Sequence, residues 1–240
     1  MTLRSDLDVD IAKTIKTSLS TTERNDGTIT TVPDPGTMGY SDGIYLPSTY
    51  LYADMADSSG LVAVAPATTV AQAMKSYLSV CTRIIRAHDG HIRSFDGDRV
   101  MGIYAGPNRA DRAVKSAMQI KWAIANLVQP SLEKQFKSIR ETSWKMGHAC
   151  GIASGKALLV RAGFRGNDDL VSIGTPPNLA AKLSDKREDR FKTFIGGGTY
   201  KILSDSGRLS SGKNMWTGPY DFNMGGKTYE YYKSSYHWSV

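Results

Sequence analysis

Cysteine is nearly absent from this chain. Cys81 and Cys150 are its only two in 240 residues, and neither has a neighbour at metal-ligand or redox-motif spacing, which excludes a disulfide-stapled secreted scaffold. Histidine is as sparse, and His88, His91, His148 and His237 form no zinc spacing. No nucleophile-elbow motif anchors a Ser-His-Asp triad. Long apolar runs are missing too: Pro66, Lys75, Arg83 and Arg86 interrupt them before the roughly 18 residues a membrane span requires. No basic, apolar and small-residue leader opens the chain, so the expectation is a cytoplasmic protein without a membrane partner. Gly151-Ile-Ala-Ser-Gly155-Lys156-Ala157 approaches a phosphate-binding loop but is one residue short, and Ala157 offers no hydroxyl to magnesium.

What is present is an ordinary globular composition, 40% hydrophobic and 22% charged, in a chain long enough to bury a core as one large domain. The net charge of +7 suits an anionic partner such as a triphosphate, an acidic lipid or nucleic acid. One basic concentration, Lys182, Lys186, Arg187, Arg190 and Lys192, reads first as a solvated helix end.

Leu3, Leu7, Ile11, Ile15 and Leu19 recur at helical spacing and predict an amphipathic helix over residues 3 to 20. Residues 21 to 43 carry turn chemistry at Asn25-Asp26-Gly27, Pro33-Asp34-Pro35-Gly36 and Ser41-Asp42-Gly43, predicting a loop or arm over the domain. A strand ending at Asp54 follows, then a long helix striped by Val70, Met74, Leu78, Cys81 and Ile85. Ile92–Phe95 and Arg99–Tyr104 predict a hairpin turning at Asp96-Gly97. A helix over about 109 to 128 carries Val114, Met118, Trp122 and Ala125. Strands are expected at 145–153, 158–161 and 170–173, then a helix capped by Thr175 with Pro176 and Pro177 in its first positions. The tail reads as strand 193–195, helix 199–203 and strand 227–234. The sum is an α+β fold, with residues 1–47 as helix and arm packed on a domain of residues 48–240.

Asp54 at a strand end and Asp98 beyond the hairpin turn are the two positions where carboxylates could hold a hard divalent ion. Each, taken alone, is more often just a turn residue. Ala56, Ser58, Ser59 and Gly60 are small enough to leave backbone amides free for phosphates at the next helix start, or simply to cap it. Asn178 and Lys182 lie four apart and share a helix face. Strand alternation puts Tyr50, Tyr52 and Asp54 on one side of the sheet, so Tyr50 either narrows a base pocket or packs in the core.

In order along the chain, Tyr50-Leu-Tyr-Ala-Asp54-Met-Ala-Asp-Ser-Ser-Gly-Leu61, Gly90-His-Ile-Arg-Ser-Phe-Asp-Gly97-Asp98-Arg-Val-Met-Gly-Ile-Tyr104, Gly151-Ile-Ala-Ser-Gly155 and Val171-Ser-Ile-Gly174-Thr-Pro-Pro-Asn178-Leu-Ala-Ala-Lys182 resemble the four motifs of class III nucleotidyl cyclases. The resemblance implies a ferredoxin-like, palm-related domain with a mostly antiparallel sheet flanked by helices. It implies a homodimer whose active sites take Asp54, the Met55 carbonyl and Asp98 from one chain, holding two magnesium or manganese ions, and Asn178 with Lys182 from the other. Tyr50, Ala56, Ser58, Ser59, Ser94 and Val171 would contact substrate. The family usually has arginine where this chain has Lys182, a point charge without a bidentate fork. Its later phosphate-binding lysine has no clear match; Lys213 and Lys227 are candidates.

At the base positions Ser94 and Val171 fit neither the adenine nor the guanine pattern of the family. A tighter resemblance runs through Arg161-Ala-Gly-Phe-Arg-Gly-Asn-Asp-Asp-Leu-Val, Gly212-Lys-Asn-Met-Trp216 and Tyr232-Lys-Ser-Ser-Tyr-His-Trp238 to the pyrimidine cyclases of bacterial Pycsar antiphage systems. It implies cyclic UMP, or else cyclic CMP, made from a nucleoside triphosphate to activate a separate effector. The rivals are an adenylate cyclase with an atypical pocket and a basic regulatory domain that binds nucleic acid.

Overall fold

A computed structural model of the chain describes residues 2–24, 31–164 and 167–240. The Asn25-Asp26-Gly27 turn therefore lies outside the described residues, as do Arg165 and Gly166 of the Arg161–Val171 stretch. In chain order the elements are α1 (Leu3–Lys16), β1 (Ser20–Glu23), β2 (Asp42–Ala56), α2 (Ser58–Val64), α3 (Ala67–Ala87), β3 (His91–Asp96), β4 (Arg99–Ala105) and α4 (Arg109–Ala123). A π-helical turn at Ile124–Val128 leads into α5 (Gln129–Gln135) and α6 (Lys137–Arg140). Then come β5 (Gly147–Phe164), β6 (Asn167–Ile173), α7 (Thr175–Ser184), β7 (Thr193–Gly196), α8 (Gly197–Ile202), α9 (Asp205–Arg208), β8 (Leu209–Ser210), β9 (Lys213–Asn214), β10 (Thr217–Met224) and β11 (Lys227–Ser234).

Among the described residues one sheet of nine strands runs β10-β11-β7-β5-β2-β4-β3, with β1 added along β2 and β6 along β5. Its pairs are antiparallel except β1–β2 and β5–β7. The α+β architecture, a mostly antiparallel sheet flanked by helices, is the one expected. Alternation along β2 assigns its two faces. Leu51, Ala53 and Met55 enter a core built with α3 and α4, where Tyr77, Cys81, Ile85, Ala113, Val114 and Ala117 are fully buried. Tyr50 enters the opposite core, roofed by Leu179, Ala180 and Leu183 of α7, and Tyr52 packs at its margin.

Several boundaries move. β2 begins at Asp42, so the expected 47/48 border between arm and domain falls inside a continuous strand, and β1 pairs with its start. Among the described residues the apolar stripe of α1 stays open: the helix has no buried residue, and Leu3, Leu7, Ile11 and Ile15 are all exposed. Strands expected at 145–153 and 158–161 are one strand, β5, because Gly155 at φ +159° lets the chain bend without breaking its pairing to β2. The π-helical turn rephases the end of α4, burying Ile124 and Val128 and leaving Ala125 outside. Thr175 is the first residue of α7 rather than its cap; Gly174, at φ +151°, holds the cap position.

Candidate active site

Asp54 stands two residues from the end of β2, paired with Arg99 on β4 and with Ala149 on β5. Asp98 reaches the same place through the hairpin turn, where Gly97 at φ +59° takes the first central position and Asp98 the second. The Met55 amide donates to the Asp98 carbonyl at 3.3 Å, which pins the turn against the strand end. Both carboxylates are withdrawn from water. Burial pushes the Asp54 carboxyl above its ordinary value, the hydrogen bond and charge of Arg187 oppose this, and the charge of Asp98 adds to it. Oδ2 of Asp98 is buried without a hydrogen-bond partner. Even with Arg187 and Arg99 nearby, two acids sharing a corner are short of a partner for one buried oxygen, Oδ2 of Asp98.

That shortage is the test of whether the pair suits a cation, and the donor set passes it for a hard ion. Among the described residues no cluster of three or more His, Cys, Asp or Glu side chains could enclose a metal by itself. The remaining ligands would have to come from backbone and substrate oxygens, which is how magnesium sites beside phosphates are commonly completed.

Around this corner the charges are chained. Arg187 places Nη2 2.6 Å from Asp54 Oδ2. Arg99 reaches Asp96 at 3.2 Å and Asp185 at 3.3 Å, and Asp185 also faces the Lys182 ammonium at 3.7 Å. Arg187 belongs to the basic concentration whose first reading was a solvated helix end; only its carboxylate partner, 133 residues earlier in sequence, gives it a place in the site. No local signal marks it out.

The other expected residues are placed as follows. Ala56 ends β2, and Ser58 and Ser59 form the first turn of α2 directly behind the carboxylates, after Asp57 in a left-handed conformation. Asn178 and Lys182 share the exposed outer face of α7. Asn178 follows Pro176, which lies against Gly155 of β5. From Gly155 to Ala149, the residue opposite Asp54, is a run of about 20 Å at the usual strand rise. Within one chain, then, the start of α7 lies well along β5 from the carboxylates, while its later residue Lys182 is tied through Asp185 to Arg99, the residue paired with Asp54.

Ser94 on β3 and Val171 on β6 are exposed, and an ion pair between the neighbouring Arg93 and Asp169 ties their two strands together. Tyr50 is fully buried, its hydroxyl beside those of Ser172 and Ser48. Tyr50 Oη and Ser172 Oγ are both buried without a well-formed hydrogen bond. Lys213 on β9 and Lys227 at the start of β11 are exposed.

Solved structures share this fold. The guanylyl cyclase Cya2 aligns over 81% of this chain and 94% of its own with a TM-score of 0.68 at 17% identity. The adenylyl cyclase CyaB from P. aeruginosa aligns over 80% and 95% with a TM-score of 0.64 at 20% identity. A class III adenylyl cyclase-like ATP-binding protein from Pseudomonas aeruginosa aligns over 86% of this chain and 45% of its own, with a TM-score of 0.64 at 18% identity. No protein-family model matches the chain. The fold is that of class III nucleotidyl cyclases.

Sequence relatives narrow the class. A uridylate cyclase from Rhodovulum sp. (strain MB263) is 36% identical over 208 residues, 85% of this chain and 86% of the relative. Uridylate cyclases from Xanthomonas perforans and Burkholderia cepacia are 35% and 33% identical, over 72% and 80% of this chain and 73% and 80% of their own lengths. The chain belongs to the uridylate cyclase family of nucleotidyl cyclases.

Proposed function

We propose that this cyclase converts UTP to 3′,5′-cyclic UMP and pyrophosphate at sites shared between two copies of the chain. The observation that carries the proposal is the orphaned Oδ2 of Asp98 beside the half-desolvated Asp54, in a chain whose relatives are named uridylate cyclases. Asp54, Asp98 and the Met55 carbonyl would hold two magnesium or manganese ions, with triphosphate oxygens completing their coordination. When bound, such ions acidify the ribose 3′-hydroxyl and stabilise the leaving pyrophosphate.

The chain's own groups do the positioning. Ala56, Ser58 and Ser59 follow the metal strand directly, and their amides would meet the phosphates. The exposed face of α7 delivers the partner's Asn178 to orient the ribose and the partner's Lys182 to neutralise charge developing on the α-phosphate. Among the described residues Lys182 meets Asp185 in a solvent-exposed contact, worth little and easily exchanged. On the base side the exposed Ser94 and Val171 fit neither purine pattern, while Tyr50, fully buried beneath α7, packs in the core. No helix among the described residues is long and apolar enough to cross a membrane. Cys81 and Cys150 are buried free thiols, which favours a reducing cytoplasm. The product would act as a second messenger for a separate effector in antiphage defence.

The substrate is tested by incubating the chain with each of the four ribonucleoside triphosphates and manganese and weighing the products. Cyclic UMP should dominate; cyclic AMP or cyclic CMP as the main product would overturn the assignment. The shared site is tested by mixing two inactive variants, Asp54→Ala and Asn178→Ala. Random pairing leaves one intact site in half of the dimers, so activity should return to about a quarter of wild type. No recovery would place both residues in one chain's site.

A further inference from the structure

The guanidinium on Asp54 is held from two directions. Nη2 of Arg187 donates to Asp54 Oδ2 at 2.6 Å, while Nη1 donates to the carbonyls of Ser184 at 2.7 Å and Lys186 at 3.1 Å. Ser184 is the last residue of α7, so its carbonyl is one that a helix end leaves without an internal partner. The cation is thus anchored by the backbone that carries it and would stay within reach if Asp54 were taken away. Ala149, opposite Asp54 on β5, is too small to bring any charge of its own. The Arg187 side chain is 42% exposed and that of Asp54 13%, so the guanidinium covers the carboxylate from the solvent side.

Resting on the metal-site reading above, we propose that Arg187 is a stand-in cation. In the nucleotide-free enzyme it occupies the face of Asp54 that a divalent ion would use, and it turns to the substrate's triphosphate once the metal and nucleotide enter together. The charges support this exchange. Arg187 and Arg99 both already act on Asp54, so a divalent ion entering this confined corner is repelled unless an anion arrives with it. A triphosphate is that anion, and an arginine fork pinned by two carbonyls retains donors to meet it. The consequence is ordered loading: the free enzyme is a poor site for the metal alone and a good one for the metal–nucleotide complex.

The test reads metal binding rather than turnover. Manganese is titrated into the full-length chain without nucleotide, following the free ion by electron paramagnetic resonance, for wild type, Arg187→Gln and Asp54→Asn. Calorimetry then measures binding of manganese with α,β-methylene-UTP, which cannot cyclise. Arg187→Gln should bind manganese alone about tenfold more tightly and the manganese–nucleotide complex about tenfold more weakly, the scale of one charge-assisted hydrogen bond. Manganese affinity unchanged or weakened would leave Arg187 a mere cap on α7 and overturn the proposal. Asp54→Asn separates the two readings: if it leaves manganese binding intact, the metal site itself is misplaced. Should Arg187→Gln fail to fold, Arg187→Lys keeps one charge without the fork, and the same pair of opposite shifts, smaller in size, decides the matter.

Discussion

Gly151 of β5 and Ala180 of α7 approach so closely that a Cβ on the glycine would lie 2.1 Å from the Ala180 carbonyl oxygen and 2.4 Å from the Ser184 amide nitrogen. The obstacle is backbone on both sides, so no rotamer change relieves it. This contact sets the height of α7 over the sheet, and α7 carries Asn178 and Lys182 on its outer face and Arg187 just beyond its end.

Gly151→Ala should therefore lift α7 and destabilise the chain by about 2 kcal/mol or more, read as a lower urea midpoint with an unchanged slope. Cyclase activity should fall further than stability explains, since the displaced helix carries Asn178, Lys182 and Arg187 with it. A stable variant with full activity would show that the position of α7 is not critical.

Asp54 and Asp98 should respond differently to neutralisation, although both should lose activity by on the order of a hundredfold or more. Asp98→Asn removes a charge that repels Asp54 and an oxygen that already lacks a partner, so its melting temperature should hold or rise. Asp54→Asn strips Arg187 of its carboxylate and should lose about 1 kcal/mol or less, the pair being partly open to solvent. Thermal melts of the metal-free variants check the contrast. A drop for Asp98→Asn comparable to that of Asp54→Asn would mean that Asp98 serves the fold.

His148 is fully enclosed, and burial first, then the charges of Lys192, Lys121 and Arg187, lower its pKa from 6.5 to about 3. Below pH 6.5 the unfolded chain takes up a proton that the native ring refuses, so stability should fall as the pH drops from about 6.5 toward 3. The slope should approach ~1.4 kcal/mol per pH unit from this group alone. Urea unfolding of wild type and His148→Gln across that window checks it: the variant's acid-side decline should be shallower by about that amount, and parallel curves would mean that the ring is protonated in the native state.

Much of the fold was legible because its signals are local. Alternation marked β2, the stripe from Val70 to Ile85 marked α3, and Gly97 fixed a hairpin through its own backbone freedom. Boundaries failed where tertiary pairing overrode local signs. Pro47 and the turn residues Asp42 and Gly43 read as arm, yet they lie in a strand flanked by β1 and β5. The stripe of α1 is amphipathic on paper and open among the described residues, since periodicity shows which side of a helix is apolar and not what meets it.

The amino-acid sequence by itself determined the class of chemistry, because ordered motifs around Asp54, Asp98, Asn178 and Lys182 require only residue types and spacing. Tertiary structure alone decided where those residues stand. Pairing of β2 with β4 and the β3–β4 turn bring the two carboxylates to one corner, and the register of β5 puts Gly155, against which Pro176 of α7 lies, about 20 Å along the sheet. It also decided that Arg187 closes over Asp54. Charge acts through space, and the folding that brings residues 54 and 187 within 2.6 Å leaves no trace in the spacing between them.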